Sequence, residues 1–395
     1  MSFNQSAAES LLSELVAART TNPPGDERAA VPVIEAAAAR FGLGEASRLG
    51  ARPERPNLIY RIGEGAPTLL IAAHMDTMPP GDLDAWHSDP FVATIDGDRI
   101  RGLGVADMKG AIVAMLHAGA RLVADPPPRG SLVLAFTADE EAGSAEGMAW
   151  LCEQGAIAAD AAAMAEPSST GPGSWETLFV AQRGSCIVEL VATGVPGHSG
   201  EKVDAESRAG PMLALAMRAI VEGRPFDSLG HPVDGMLPTV NVGTMIRGGE
   251  VPFAHPPELR ATIEVRVITG MTEEGVVARF NEVLGDAGLS DRAWVEPVEG
   301  TSWISPGEIV TDEALLTAAK GAWRSVHGVE PTLGVMPAGT DSSIVDALGI
   351  PALPAFGPGT LGVAHRPNES MPRSDLETAT AMLERLARNY FEAAG

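Results

Sequence analysis

The pattern of apolar positions changes character twice along the chain. Residues 1–182 alternate apolar runs of strand length with stretches in which apolar residues recur at helical spacing. The strand-like runs are 68–73, 131–138 and 161–166, and a helix is predicted over 109–124. Strands that alternate with helices are typical of a mixed, mostly parallel sheet covered by helices. We therefore predict an α/β fold for this part of the chain.

From about residue 183 the apolar residues follow a two-residue period instead. Three segments alternate apolar and polar positions, as strands of a half-solvated antiparallel sheet do: residues 186–192, 239–246 and 258–267. Two helices, at about 207–222 and 273–284, belong with them, and the second has a clear apolar face. We expect residues 183–297 to form a smaller inserted α+β domain.

The α/β pattern returns near residue 311. The closing helix is expected to begin at Ser374, which together with Glu377 has the spacing of a capping box. The first domain is therefore predicted to be discontinuous and to comprise residues 1–182 and 298–395.

Composition narrows the class of protein. The chain has 395 residues, 45% hydrophobic and 20% charged, which suits a globular protein of about two domains. Its net charge of −24 argues against nucleic acid and anionic membranes as partners. Cys152 and Cys186 lack metal-ligand spacing, so a disulfide framework and a thiolate zinc site are not expected. The opening residues do not resemble a signal peptide and no apolar run reaches membrane-spanning length, so we expect a cytoplasmic protein.

Histidine and acidic side chains follow predicted strands or lie at the mouths of loops. They are His74 and Asp76 in "HMDT", Asp107 in "GVADMKG", Glu140 and Glu141 in "TADEEAGS", Glu166 in "AEPS" and His365 in "GVAHRPNE". Ligands of open α/β sheets bind at this edge, so these side chains are expected to gather there. Two histidines and three carboxylates, without cysteine, suit two divalent ions that share one carboxylate. A further carboxylate, supplied by the Glu140–Glu141 doublet, is then free to move protons.

Taken singly, these residues have more common roles. A lone histidine such as His74 is usually a satisfied core residue, and the Glu140–Glu141 pair would usually belong to a solvated loop. Asp107 could serve as the N-cap of the helix that follows it.

Eight segments, in order and spacing, resemble the dinuclear zinc family of acetylornithine deacetylase, succinyl-diaminopimelate desuccinylase and glutamate carboxypeptidase. They are "HMDT", "WHSDPF", "GLGVADMKG", "TADEEAGS", "AEPSS", "GVPGHSG", "AGTDSS" and "FGPGTLGVAHRPNES". The resemblance covers nearly the whole chain. It implies that His74 and Glu166 bind one metal ion and that Glu141 and His365 bind the other, with Asp107 as the bridge. Zinc is the expected metal, with cobalt or manganese as alternatives.

The same resemblance implies the catalytic roles. An amide bond of an N-acyl amino acid would be cleaved by a metal-bridged hydroxide, with Glu140 as the general base. Asp76 would orient the imidazole of His74, and the peptide bond after Asp107 would be cis. His198 in "GHSG" is similar to a family histidine that reaches into the site of the partner subunit. The inserted domain would then act as both a lid and the interface of a homodimer.

Substrate recognition is less clearly defined. Arg266 resembles a family arginine that contacts the substrate carboxylate, although simple solvation on the polar face of its strand is an equal interpretation. Gly339, Thr340 and Asp341 resemble a substrate-side loop. Phe253 stands where the family often has asparagine, which favours an apolar or aromatic acyl group. The alternatives are a dipeptidase or glutamate-type carboxypeptidase, a hydrolase of an unusual non-peptide C–N bond, or a catalytically silent relative kept for binding or assembly.

Overall fold

The computed structural model describes residues 3–171, 173–202, 204–298 and 303–395. The chain divides into two units by its internal contacts. The first unit comprises Met1–Ala181, Glu308–Met336 and Thr340–Gly395, and the second comprises Gln182–Gly307 and Pro337–Gly339. Among the described residues, no helix is both long and apolar enough to cross a membrane.

The N-terminal part of the first unit alternates helices and strands. Its helices are α1 (Gln5–Ala17), α2 (Val31–Phe41), α3 (Gly110–Ala124) and α4 (Met148–Glu153). Its strands are β1 (Ser47–Leu49), β2 (Asn57–Glu64), β3 (Thr68–His74), β4 (Thr94–Asp96), β5 (Arg99–Arg101), β6 (Gly130–Thr137), β7 (Ala161–Met164) and β8 (Leu178–Gln182). Every residue of β6 is buried, which is typical of a strand covered on both faces of its sheet.

The described residues of the second unit form antiparallel strands and two α-helices. Its strands are β9 (Gly184–Thr193), β10 (Gly197–His198), β11 (Thr239–Arg247), β12 (Ala254–His255), β13 (Glu258–Val267), β14 (Ala293–Pro297) and β15 (Trp303–Ile304). The sheet order is β11-β13-β9-β14, and β15 also pairs with β9. Helices α5 (Ala209–Gly223) and α6 (Glu273–Asp286) share a core with the sheet, in which Ile220 and Phe280 meet Ile263 and Val265. The alternating burial of β13 follows the two-residue period.

The C-terminal part of the first unit completes the main sheet. It contributes α7 (Glu313–His327), β16 (Leu333–Met336), α8 (Ser342–Asp346), β17 (Ala352–Leu353), β18 (Ser370–Pro372) and α9 (Asp375–Ala393). The main sheet has the order β1-β2-β6-β3-β7-β17. β3 runs parallel to β6 and β7, and β17 runs parallel to β7. β2 is antiparallel to both β1 and β6.

Helices cover this sheet. Leu70 and Ala72 of β3 share a core cluster with Met148 of α4 and Val345 of α8, while α3 and α9 contact β3 and β6. The prediction of an α/β fold with a mixed, mostly parallel, helix-covered sheet and a smaller α+β unit is confirmed.

Two details differ from the sequence prediction. The second unit extends to Gly307, ten residues beyond the predicted boundary at 297. The added segment includes β15, which pairs with β9. The capping box at Ser374 is wrong, because the Ser374 side chain makes no cap hydrogen bond. Instead, the carboxylate of the next residue, Asp375, accepts a hydrogen bond from the backbone amide of Gly359.

Candidate metal centre

Acidic and histidine side chains lie at one edge of the main sheet, at or just after the ends of three parallel strands. β3 ends at His74, β6 ends three residues before Glu140, and β7 ends two residues before Glu166. Strands that run in the same direction place the residues that follow them at the same edge. The sheet topology therefore assembles residues that lie far apart in the sequence.

His74, Asp107 and Glu166 form one group of possible metal ligands. One ligand atom from each lies within 4.8 Å of the others, and all three side chains are buried. The Nε2 atom of His74 is 3.1 Å from Oδ1 of Asp107 and 3.8 Å from Oε1 of Glu166.

Asp107, Glu141 and His365 form a second group, again within 4.8 Å of one another. The Nε2 atom of His365 is 3.3 Å from Oδ2 of Asp107 and 3.0 Å from Oε2 of Glu141. Asp107 therefore turns one carboxylate oxygen to each group. This is the arrangement that a carboxylate shared between two ions requires.

Crowded carboxylates dominate the electrostatics of the site. Burial raises the pKa of Glu166 to about 8 and also raises the pKa of Glu141. Burial acts in the same direction on Asp107, but its contacts with the two histidines outweigh this effect and hold its pKa below the usual range. Contacts with Asp107 and Glu141 raise the pKa of His365 to about 10. The carboxylates outnumber the imidazoles, so the site favours additional positive charge.

The donor set fits a pair of divalent cations. It consists of imidazole nitrogens and carboxylate oxygens, which zinc and related ions bind in proteins. His74 and Glu166 would hold one ion, Glu141 and His365 would hold the other, and Asp107 is placed to contact both.

The Glu140–Ala142 segment is a short 3-10 helix that we call the glutamate turn. The carboxylate of Asp76 accepts hydrogen bonds from the backbone amides of Glu140 and Glu141, each at 3.2 Å. The Nδ1 atom of His74 instead lies 2.9 Å from the backbone carbonyl oxygen of Asp76, with the carboxylate 3.6 Å away. The main chain of Asp76 thus makes the orienting contact that was expected of its carboxylate, and the carboxylate supports the glutamate turn.

Glu369 was missed by the sequence analysis. It is 2% exposed and accepts hydrogen bonds from the amides of Gly104, Ala106 and Asp107, at 2.8, 2.7 and 3.1 Å. This carboxylate therefore holds the backbone that leads to Asp107. The following peptide bond, between Asp107 and Met108, is cis, as the resemblance implies.

The remaining predicted residues lie in both units. His198 is exposed on β10, and its Nδ1 accepts a hydrogen bond of 3.1 Å from the amide of Gly200. The Nε atom of Arg266 is 2.6 Å from Oε1 of Glu264 on the same strand. Both residues and Gly339 belong to the second unit.

Thr340 and Asp341 belong to the first unit and are almost fully buried. Asp341 accepts a hydrogen bond from the hydroxyl of Ser144, just after the glutamate turn. Burial raises the pKa of Asp341 to about 6. Contact of either residue with substrate stays a prediction.

The comparison with known families decides the class of protein. Residues 70–389 match the sequence profile of Peptidase family M20/M25/M40. The chain belongs to this family.

Relatives of this M20-family chain match it over most of its length. It is 30% identical to a succinyl-diaminopimelate desuccinylase of Dinoroseobacter shibae, over 96% of this chain and 98% of that protein. An aminopeptidase from Bacillus cereus has a similar fold, with a TM-score of 0.72, 20% identity and coverage of 98% and 99% of the two chains. A dinuclear metal-binding M20 peptidase from Bacillus subtilis gives a TM-score of 0.67 at 17% identity, covering 98% and 99%. The M20 chain is accordingly a hydrolase that acts on amide bonds. Its two groups of possible ligands suit two divalent ions.

Proposed function

We propose that this chain is a deacylase that hydrolyses the amide bond of an N-acyl amino acid. The observation that carries the proposal is the pair of ligand groups joined through Asp107, with the Glu140 carboxylate in neither group. Such a site has a place for two cations and keeps one carboxylate free beside them. The desuccinylase relatives support an acyl amide as the bond that is cleaved.

We infer that the resident ions are zinc, held by the two groups described above. When bound, divalent ions of this kind supply Lewis acidity, which polarises a carbonyl oxygen and makes water acidic enough to lose a proton near neutral pH. The nitrogen and oxygen donors also suit cobalt and manganese, so the choice of zinc rests on its frequency with such ligands.

Glu140 is proposed as the general base. Burial, reinforced by the charges of Glu166, Asp341 and Glu141 and opposed by His74, raises its pKa well above the usual range. A carboxylate of raised basicity is suited to take a proton from the attacking water and return it to the leaving amine nitrogen. The carbonyl carbon then gains a C–O bond and loses its C–N bond.

The second unit is proposed to serve as lid and dimer interface, with His198 stabilising the oxyanion in the partner subunit's site. Within the described part of this unit, β11 lies at the edge of the sheet. Met245 and Ile246 on that strand are 60% and 59% exposed. An apolar edge strand is a surface that a second copy of the chain can cover by extending the sheet.

Two residues of the second unit bear on substrate recognition. Arg266 is proposed to bind the substrate carboxylate, for which it would exchange its contact with Glu264. Phe253 is 71% exposed, so its ring is available to an apolar or aromatic acyl group. The desuccinylase of Dinoroseobacter shibae points instead to a succinyl group.

A substrate panel tests the proposal. Metal-reconstituted protein would be assayed with N-acetyl, N-succinyl, N-formyl and N-aroyl amino acids and with dipeptides, next to Glu140→Gln as the control. We expect turnover of one N-acyl class and its loss in the variant. Turnover of dipeptides alone would show a dipeptidase and contradict the deacylase proposal. No turnover of any member, with two ions bound, would overturn the deacylase proposal and would favour an unusual C–N bond as the substrate.

A further inference from the structure

A buried arginine contacts the residue that precedes the glutamate turn and has no part in the chemistry described so far. Arg55 is 1% exposed, and its guanidinium contacts the carboxylate of Asp139, which is itself 7% exposed. It also lies 3.5 Å from a carboxylate oxygen of Glu27 and 3.4 Å from one of Glu146. An arginine is removed from water in this way only at a cost, so its partners matter.

Asp139 sets the start of the glutamate turn. Its backbone is in the left-handed region, with φ of 67°, which few residues other than glycine adopt and which aspartate adopts more often than most. Hydrogen bonds to its side chain stabilise this conformation. One carboxylate oxygen accepts from Arg55 and, at 3.1 Å, from Asn22, and the other accepts at 3.1 Å from the amide of Glu146.

Asn22 connects the Arg55–Asp139 pair to the glutamate turn. Its side-chain amide donates to Asp139 at 3.1 Å and to Asp76 at 2.9 Å. Asp76 in turn accepts from the amides of Glu140 and Glu141. A continuous series of hydrogen bonds therefore runs from the guanidinium, through the buried side chains of Asp139, Asn22 and Asp76, to the backbone of Glu140 and Glu141.

The guanidinium lies in a space that the local backbone leaves open for it. Gly25 has φ of 77°, and a side-chain carbon added at this glycine would overlap the guanidinium group of Arg55. Both the backbone and the surrounding carboxylates thus fix the position of Arg55.

We propose that Arg55 is a positioning residue for the hydrolysis. Arg55 fixes the position of Asp139, and through Asn22 and Asp76 it fixes the glutamate turn relative to the other candidate metal ligands. The expected change in kcat rests on the proposed function. The expected change at the metal site can be measured without turnover.

Arg55→Lys is the most direct test, because lysine keeps the charge and loses the planar fork that can hold several partners. We expect kcat to fall by about 10- to 100-fold with KM nearly unchanged, since groups that orient ligands typically have effects of this size. The visible absorption of the Co²⁺-substituted protein should also change, because Glu141 would be displaced. Arg52→Lys is the matched control: this exposed arginine contacts Glu146 and should leave kcat and the spectrum as in the wild type.

Asn22→Ala provides a second, independent variant that leaves the buried cation in place. It should lower kcat in the same way, and the double variant should lose less than the product of the two single effects, as residues in one network do. An Arg55→Lys protein with unchanged kcat and cobalt spectrum, even at reduced thermal stability, would overturn the proposal. If Arg55→Lys does not fold, unchanged kcat and spectrum in Asn22→Ala would overturn it equally. Absence of amide hydrolysis in the wild type would instead count against the proposed function, and the cobalt spectra would still decide the role of Arg55.

Discussion

At the scale of single residues, Asp107 joins the two groups of candidate metal ligands. Its two carboxylate oxygens lie 3.1 Å from His74 and 3.3 Å from His365, so each faces a different ligand group. Glu166, by contrast, belongs to one group only. The two carboxylates should therefore differ in how many ions depend on them.

Asp107→Asn is expected to weaken the binding of both ions, because the shared negative charge is lost. Glu166→Gln should weaken one ion and leave about one per chain. Elemental analysis after dialysis at a fixed low zinc concentration measures this difference. Retention of both ions by Asp107→Asn would show that Asp107 is not shared.

The sequence could indicate the candidate ligands, which the structure brings together in two groups, because each of them lies close to a strand end or a loop with its own motif. Glu369 could not be predicted, since it holds backbone amides 262 to 265 residues away and no local pattern marks it. The proposed role of Arg55 and Asn22 could not be predicted for the same reason. It depends on contacts with Asp139 and Asp76, which form only in the folded chain.

At the scale of elements, periodicity predicted the long strands and helices well and the short elements poorly. β13 coincides with the predicted segment 258–267, because ten residues of alternation are unambiguous. β15 has two residues and therefore no period, so the domain boundary was placed too early. Ser374 has the sequence of a cap, but its backbone is already helical, with φ of −62°.

Helix α3 carries a histidine that should couple stability to pH. Burial, with smaller effects of Arg121 and Arg40, lowers the pKa of His117 to about 4, and its ring lies against Phe3 and Phe41. At a pH between the ordinary histidine pKa of about 6.5 and the lower pKa in the folded chain, His117 is protonated in the unfolded chain but neutral in the folded chain. Stability should therefore fall as the pH drops through this window.

His117→Leu removes this titration. Thermal unfolding at pH 7 and pH 4.5 should show a smaller loss of Tm for the variant than for the wild type. His87→Leu, at an exposed loop position, is the control and should behave as the wild type. Equal losses of Tm in wild type and His117→Leu would contradict this prediction.

At the scale of the whole molecule, the second unit is expected to join two copies of the chain. Ile246→Glu would place a charge on the exposed edge strand β11 and should convert a dimer into a monomer in light-scattering measurements. Val329→Glu, at a site 60% exposed in the first unit, should leave the dimer intact. A wild-type chain that is monomeric at micromolar concentration would remove the basis for a role of His198 in a partner's site.

Both the fold and the candidate site lead to one central claim, that two divalent ions held around Asp107 make this chain an amide hydrolase. The most direct test is to titrate chelator-treated protein with zinc while following both bound metal and hydrolysis of the N-acyl amino acid panel. We predict that two ions bind per chain and that hydrolysis appears only as they bind. Hydrolysis by the metal-free protein, or full binding of two ions without turnover of any substrate in the panel, would contradict the account.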